Sequence, residues 1–121
     1  SYILYQRNMN NKINNFSSYI SEYKQEISNY YLSDNQKNYD NLIAEAEQAI
    51  DDKDYKKISS LTSSLSEFKE KILAENNDSL SNFSNYINTY KEEITNYNLD
   101  DSKEKYDSLI SEAEQTVTLS I

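Results

Sequence analysis

The sequence predicts an all-α chain of tandem three-helix repeats, joined by a long helix, with the second repeat incomplete. Three observations carry this reading. The first is self-similarity: residues 15 to 50 return without a gap between Asn82 and Val117, with Phe16 aligned on Phe83, Ile20 on Ile87, Tyr23 on Tyr90, Leu42 on Leu109 and Glu45 on Glu112. More than half of the aligned positions are identical, and a period of about 67 residues is the length of a module rather than of a short solenoid repeat. The second is that the apolar residues recur at alternating steps of three and four, the spacing of one helix face. The third is that 121 residues contain no Gly and no Pro. Tight turns, hairpins and phosphate-cradling loops depend on those residues, so long helices with short polar links remain. In this frame residues 1 to 12 are a helical lead-in, residues 13 to 76 a first three-helix module, and residues 77 to 121 the first two helices of a second.

The first helix of each module is set by Ile13, Phe16, Ile20, Tyr23, Ile27 and Tyr30, and again by Leu80, Phe83, Ile87, Tyr90, Ile94 and Tyr97. Each set is a heptad seam. Tyr19 and Tyr86 flank it and widen it, which suits a helix with two neighbours, as in a spectrin-like three-helix bundle, better than a two-stranded coiled coil. The second helix is expected to start at Ser33 or Asp34. Ser33 and Gln36 have capping-box spacing, and Asp101 and Glu104 offer the same in the other copy. Its inner face is Tyr39, Leu42, Ile43, Ala46, Ala49 and Ile50, matched by Tyr106, Leu109, Ile110, Ala113, Thr116 and Val117. Leu32 and Leu99 precede the caps and close over the helix ends.

Asp51-Asp52-Lys53-Asp54 is a short link whose last carboxylate caps a third helix. That helix carries Ile58, Leu61, Leu65, Phe68 and Ile72. Asn76-Asn77-Asp78 is polar but holds no breaker, so the third helix is expected to run into, or nearly into, the first helix of the second module; a new cap at Asp78 is the alternative. The second copy lacks a third helix, and its apolar stripe needs a cover. The candidates are a helix beyond Ile121, a neighbouring molecule in a dimer, or the lead-in with Tyr2, Ile3, Tyr5 and Met9.

Composition narrows the function classes. A formal charge of -9 disfavours nucleic acid and anionic membrane surfaces, both of which require clustered Lys and Arg. Without Cys or His there are no disulfides, no thiolate or imidazole metal sites and no histidine-based catalysis. Usage of Asn, Lys, Ile and Tyr fits an AT-rich genome. The chain starts at Ser1 without an initiator Met, as an excised fragment does, and any signal peptide or anchor then lies outside it. No apolar run reaches the roughly 20 residues that span a bilayer. Ser1-Tyr2-Ile3-Leu4-Tyr5 ahead of Gln6-Arg7 reads either as an ordinary helical lead-in or as the interfacial end of a membrane helix.

Signals for chemistry are few, and no catalytic residue, cofactor or metal is expected. Asp51, Asp52 and Asp54 lack the Gly and the closing Glu of a calcium loop and read as helix-capping acids. Glu45 and Glu47, like Glu112 and Glu114, are two apart on a helix and point to different sides, so they read as solvated charges. Asn15-Phe16-Ser17, Asn77-Asp78-Ser79 and Asn82-Phe83-Ser84 match the glycosylation acceptor pattern in a chain where Asn and Ser are common. Tyr residues anchor interfaces by joining apolar area to a polar tip. Tyr23, Tyr39, Tyr90 and Tyr106 belong to the core face, which leaves Tyr19, Tyr31, Tyr55 and Tyr86, beside the seam or at helix ends, as the candidate interaction residues.

Tyr31, Tyr39, Leu42, Ala46, Ala49, Ile50, Ile58, Leu61, Leu65 and Ile72, in this order, resemble the FIVAR-type three-helix repeats of Gram-positive surface proteins. The likeness covers residues 31 to 72 and, in part, 97 to 117, with Phe68 and several Ser and Thr residues where Ala is usual. It implies an extracellular helical rod that spaces another domain from the cell or binds a protein or cell-wall ligand. Tetratricopeptide repeats fit less well, since half the period yields no self-match. The leading expectation is therefore a non-enzymatic, cell-surface stalk or adhesive segment. The alternatives are a membrane-tethered sensor or regulatory ectodomain, anchored N-terminal to residue 1, and an oligomerising coiled-coil structural protein; separately, the incomplete second module offers a route to a dimer.

Overall fold

The computed structural model describes residues 1 to 120. They are all-helical, with four α-helices and no strand among the described residues: α1 (Tyr2–Ile27), α2 (Gln36–Asp52), α3 (Tyr55–Ile94) and α4 (Lys103–Leu119). The chain divides into two compact units, Ser1–Ala74 and Glu75–Ile121. The lead-in is not a separate piece, because α1 begins at Tyr2, with the Ser1 hydroxyl accepting from the Leu4 amide at 3.2 Å.

In the first unit one apolar cluster draws on three helical segments. Phe16, Ile20, Tyr23 and Ile27 come from α1, Ile43, Ala46 and Ala49 from α2, and Ile58, Leu61, Leu65, Phe68 and Ile72 from the first half of α3. These are the seam positions expected from the spacing. Ile27, Leu65 and Ile72 are fully buried, and each such side chain stabilises the fold by about 1.5–3 kcal/mol relative to exposure. Ala46 is buried to 0% exposure; a methyl there lets the neighbouring helices approach closely. Leu32 closes the end of the cluster, as expected.

The link between α2 and α3 follows its residue chemistry. Lys53 takes the left-handed conformation (φ 54°, ψ 41°) that ends α2. Its amide reaches the Ile50 carbonyl at 3.2 Å, and the Asp54 amide reaches that of Ala49 at 3.0 Å. This pair of bonds satisfies carbonyls that a helix end otherwise leaves open. Glycine is the usual residue at such a position because it has no Cβ to clash; this chain uses Lys. Asp54 then caps α3, its carboxylate accepting from the Lys57 amide at 3.1 Å.

Helix α3 continues unbroken through Asn76-Asn77-Asp78 to Ile94, 40 residues in all, so no new helix is capped at Asp78. Neither capping box forms. Ser33 adopts a positive φ of 53° and opens a 3₁₀ turn, Ser33–Asn35, ahead of α2. A whole turn thus separates Ser33 from the start of the α-helix, and the Gln36 amide group bonds Asp40 at 3.0 Å instead of reaching back. Asp100 (φ 47°) and the turn Asp100–Ser102 repeat this arrangement before α4, where Ser102 occupies the cap position and no side chain bonds the helix start.

Candidate interaction surfaces

The two copies build the same helical hairpin. In the first, Lys24 on α1 meets Glu47 on α2 at 3.5 Å; in the second, the aligned Lys91 on α3 meets Glu114 on α4 at 3.4 Å. Both pairs are about half exposed, so each adds at most about 1 kcal/mol; their value is as markers of register. The aromatic ladder also recurs. Tyr19 lies tilted against Tyr23 with centroids 5.8 Å apart and Tyr23 stacks on Tyr39 at 6.5 Å, while Tyr86, Tyr90 and Tyr106 stack with centroids 6.2 and 6.1 Å apart.

What differs is the cover. In the first unit α3 completes the hairpin with three specific contacts besides its apolar seam. The Tyr23 hydroxyl donates to the Leu65 carbonyl at 2.7 Å. The Phe68 ring stacks on Tyr39 at 6.1 Å. Lys69 pairs with Glu26, and this bond holds the ammonium pKa above its ordinary value. Burial first, then the neighbouring Tyr19 and Tyr39, push the Tyr23 hydroxyl well above the usual tyrosine range. Tyr39 is raised too, by burial and then by Asp40 and Glu47. In the second unit, among the described residues, Ile87 alone is buried. Phe83 is 38% exposed where its counterpart Phe16 is 5% exposed, and Leu109 is 50% exposed. Tyr97 is exposed where Tyr30 is half-buried.

The four tyrosines singled out from the sequence do not form one site. Tyr19 and Tyr55 come together, with Lys12, Phe16, Ile58 and Thr62, around an open cleft of about 350 Å³. Tyr19 is at the same time part of the aromatic ladder, 6.2 Å from Phe16. Tyr31 stands exposed at the turn between α1 and α2, beside a cleft of about 370 Å³ that includes Tyr30, Leu32 and Tyr39. Tyr86 is exposed on α3, stacked on Tyr90. Phe83, Tyr97 and Leu109, also exposed, were not among the candidates. The sequence marked these residues all the same, as the counterparts of Phe16, Tyr30 and Leu42 in the first copy.

Of the acidic residues expected in the link, Asp51 and Asp52 belong to the last turn of α2, where the Asp52 carboxylate accepts from the Gln48 side-chain amide at 3.0 Å, and Asp54 caps α3. No group of three or more metal-ligating side chains occurs among the described residues, and no helix among them is long and apolar enough to cross a membrane. The three glycosylation-type triplets lie within α1 and α3. No protein-family model, curated protein or solved structure matches the chain.

Proposed function

We propose that this chain is a non-enzymatic helical repeat segment of an extracellular or cell-surface protein, acting as a spacer or as a binding segment for a protein or cell-wall ligand. Its repeating element in this reading is a spectrin-like three-helix bundle of which the first unit is one complete copy. The observation that carries the proposal is the recurrence of one hairpin, down to its ion pair and tyrosine ladder, in both units. Duplication of a scaffold with no accompanying reactive group serves length or valency, not turnover. The resemblance to FIVAR-type repeats supports the exterior location. The test is surface labelling of the source cells: antibodies raised against the chain bind intact cells, and added protease removes the epitope. Labelling that requires permeabilised cells contradicts the proposal.

A second reading is favoured by one feature. Tyr2, Ile3, Leu4 and Tyr5 expose more than half of their surface on the first turn of α1, an arrangement suited to the boundary of a membrane. A membrane-tethered ectodomain requires an apolar span of about 20 residues encoded directly before Ser1.

A further inference from the structure

We propose that the cleft between α1 and the start of α3, within the first unit, is a binding site for a small ligand that joins one aromatic ring to a carboxylate. This goes beyond the spacer and adhesive roles and depends on neither.

The cleft measures about 350 Å³, at the lower end of the range for small-molecule sites, where a single ring with a short arm fits. Its lining is mainly apolar. Phe16 and Ile58 are buried core residues, and Tyr19 and Tyr55 stand beside them. Each tyrosine is fixed by contacts that do not involve a ligand. The Tyr19 ring is 6.2 Å from Phe16 and 5.8 Å from Tyr23, and Tyr55 opens α3 directly after the Asp54 cap. Rings placed in advance lose little freedom on binding. A flat aromatic ligand gains from offset or edge-on pairing with them.

Electrostatics set the charge of the ligand. Lys12 lies at the cleft with no carboxylate among the lining residues, and it makes no ion pair among the described residues. In a chain with a formal charge of -9, that is a local excess of positive charge. Neighbouring clefts lack it. Beside Tyr31, Lys24 is already paired with Glu47 at 3.5 Å; between α2 and α3, Lys71 is accompanied by Glu45 and Glu67. Hydrogen-bonding capacity excludes a sugar in favour of a ring. The Thr62 hydroxyl donates to the Ile58 carbonyl at 2.8 Å, so Asn15 and Ser59 are left, too few to satisfy the hydroxyls of a saccharide. One carboxylate needs no more than Lys12 and the Asn15 amide. The second copy supplies a control, because Asn82, Phe83 and Tyr86 repeat Asn15, Phe16 and Tyr19, whereas Ser79 replaces Lys12.

The test titrates the intact, isotopically labelled chain with phenylacetate, which carries both groups, and with phenylacetamide, its neutral isostere. Amide resonances of Asn15, Tyr19, Tyr55 and Ser59 are expected to shift saturably with phenylacetate, and those of Asn82 and Tyr86 to stay in place. Lys12→Gln, at an exposed position, is expected to weaken phenylacetate about two- to fivefold, the range of a solvent-exposed ion pair. The same variant should leave phenylacetamide binding unchanged. Tyr55→Leu, which keeps apolar bulk and removes the ring, is expected to weaken both probes. The proposal is overturned by no saturable shift up to about 20 mM phenylacetate, the weakest affinity expected of a ligand this small. It is equally overturned by matching shifts at Asn82 and Tyr86, by phenylacetamide binding as tightly as phenylacetate, or by either variant leaving phenylacetate affinity as it was.

Discussion

Tyr23 joins three helical segments through one side chain: its ring lies between Tyr19 and Tyr39, and its hydroxyl donates to the Leu65 carbonyl at 2.7 Å. The ring position was legible from the heptad spacing. The hydrogen bond was not, because its acceptor is a backbone carbonyl and no residue type announces it. Burial holds the proton on this hydroxyl well past the ordinary tyrosine value, which is about 10. The unfolded chain releases that proton near pH 10 and the folded chain keeps it, so the contribution is full below pH 10 and is lost as pH rises above it. Lys69, also raised, acts in the same direction. Denaturant midpoints are therefore expected to fall above about pH 10. Tyr23→Phe is expected to flatten that alkaline slope while costing about 0.5–1.5 kcal/mol at neutral pH. Chevron or equilibrium unfolding across pH 7 to 11 checks both; an unchanged slope in the variant would place the titration elsewhere.

At the scale of elements, helix ends divide into those a sequence reveals and those it hides. Asp54 caps α3 as its position suggested, because the carboxylate is one residue from the helix and its only local donors are the free amides. The expected boxes at Ser33 and Asp101 fail because a left-handed residue and a 3₁₀ turn intervene, and non-glycine residues give no composition signal for such a turn. The passage of α3 through Asn76-Asn77-Asp78 follows from the absence of a breaker: Asn and Asp cost only fractions of a kcal/mol in a helix interior, roughly 0.7 each at most. A proline costs about 3 kcal/mol or more by removing a bond and striking the carbonyl four residues back. Asn77→Pro, at an exposed site, is thus expected to lower helical ellipticity and open amide exchange around residues 73 to 81. The Lys24–Glu47 and Lys91–Glu114 hairpins should stay formed. A variant with wild-type ellipticity would mean that α3 is already interrupted there.

For the whole molecule, the central claim is that the repeated hairpin draws most of its stability from a third helical segment, which packs on the first hairpin and has no counterpart packed on the second among the described residues. The number of helices was readable from the period and from the absence of breakers. Which side chains stay exposed required the packing, since Leu42 and Leu109 are the same residue, each between an Asp two positions before it and an Ile directly after it. The chain thereby contains its own control, because aligned seam positions carry the same or similar residues and differ in cover. Hydrogen exchange of the intact chain reads this comparison directly. Amides of Ile43 and Ala46 are expected to exchange at least about tenfold more slowly than those of Ile110 and Ala113, the difference that even one side chain's burial supports. Equal protection at the paired positions would contradict the claim, since the hairpin would then be as stable bare as covered.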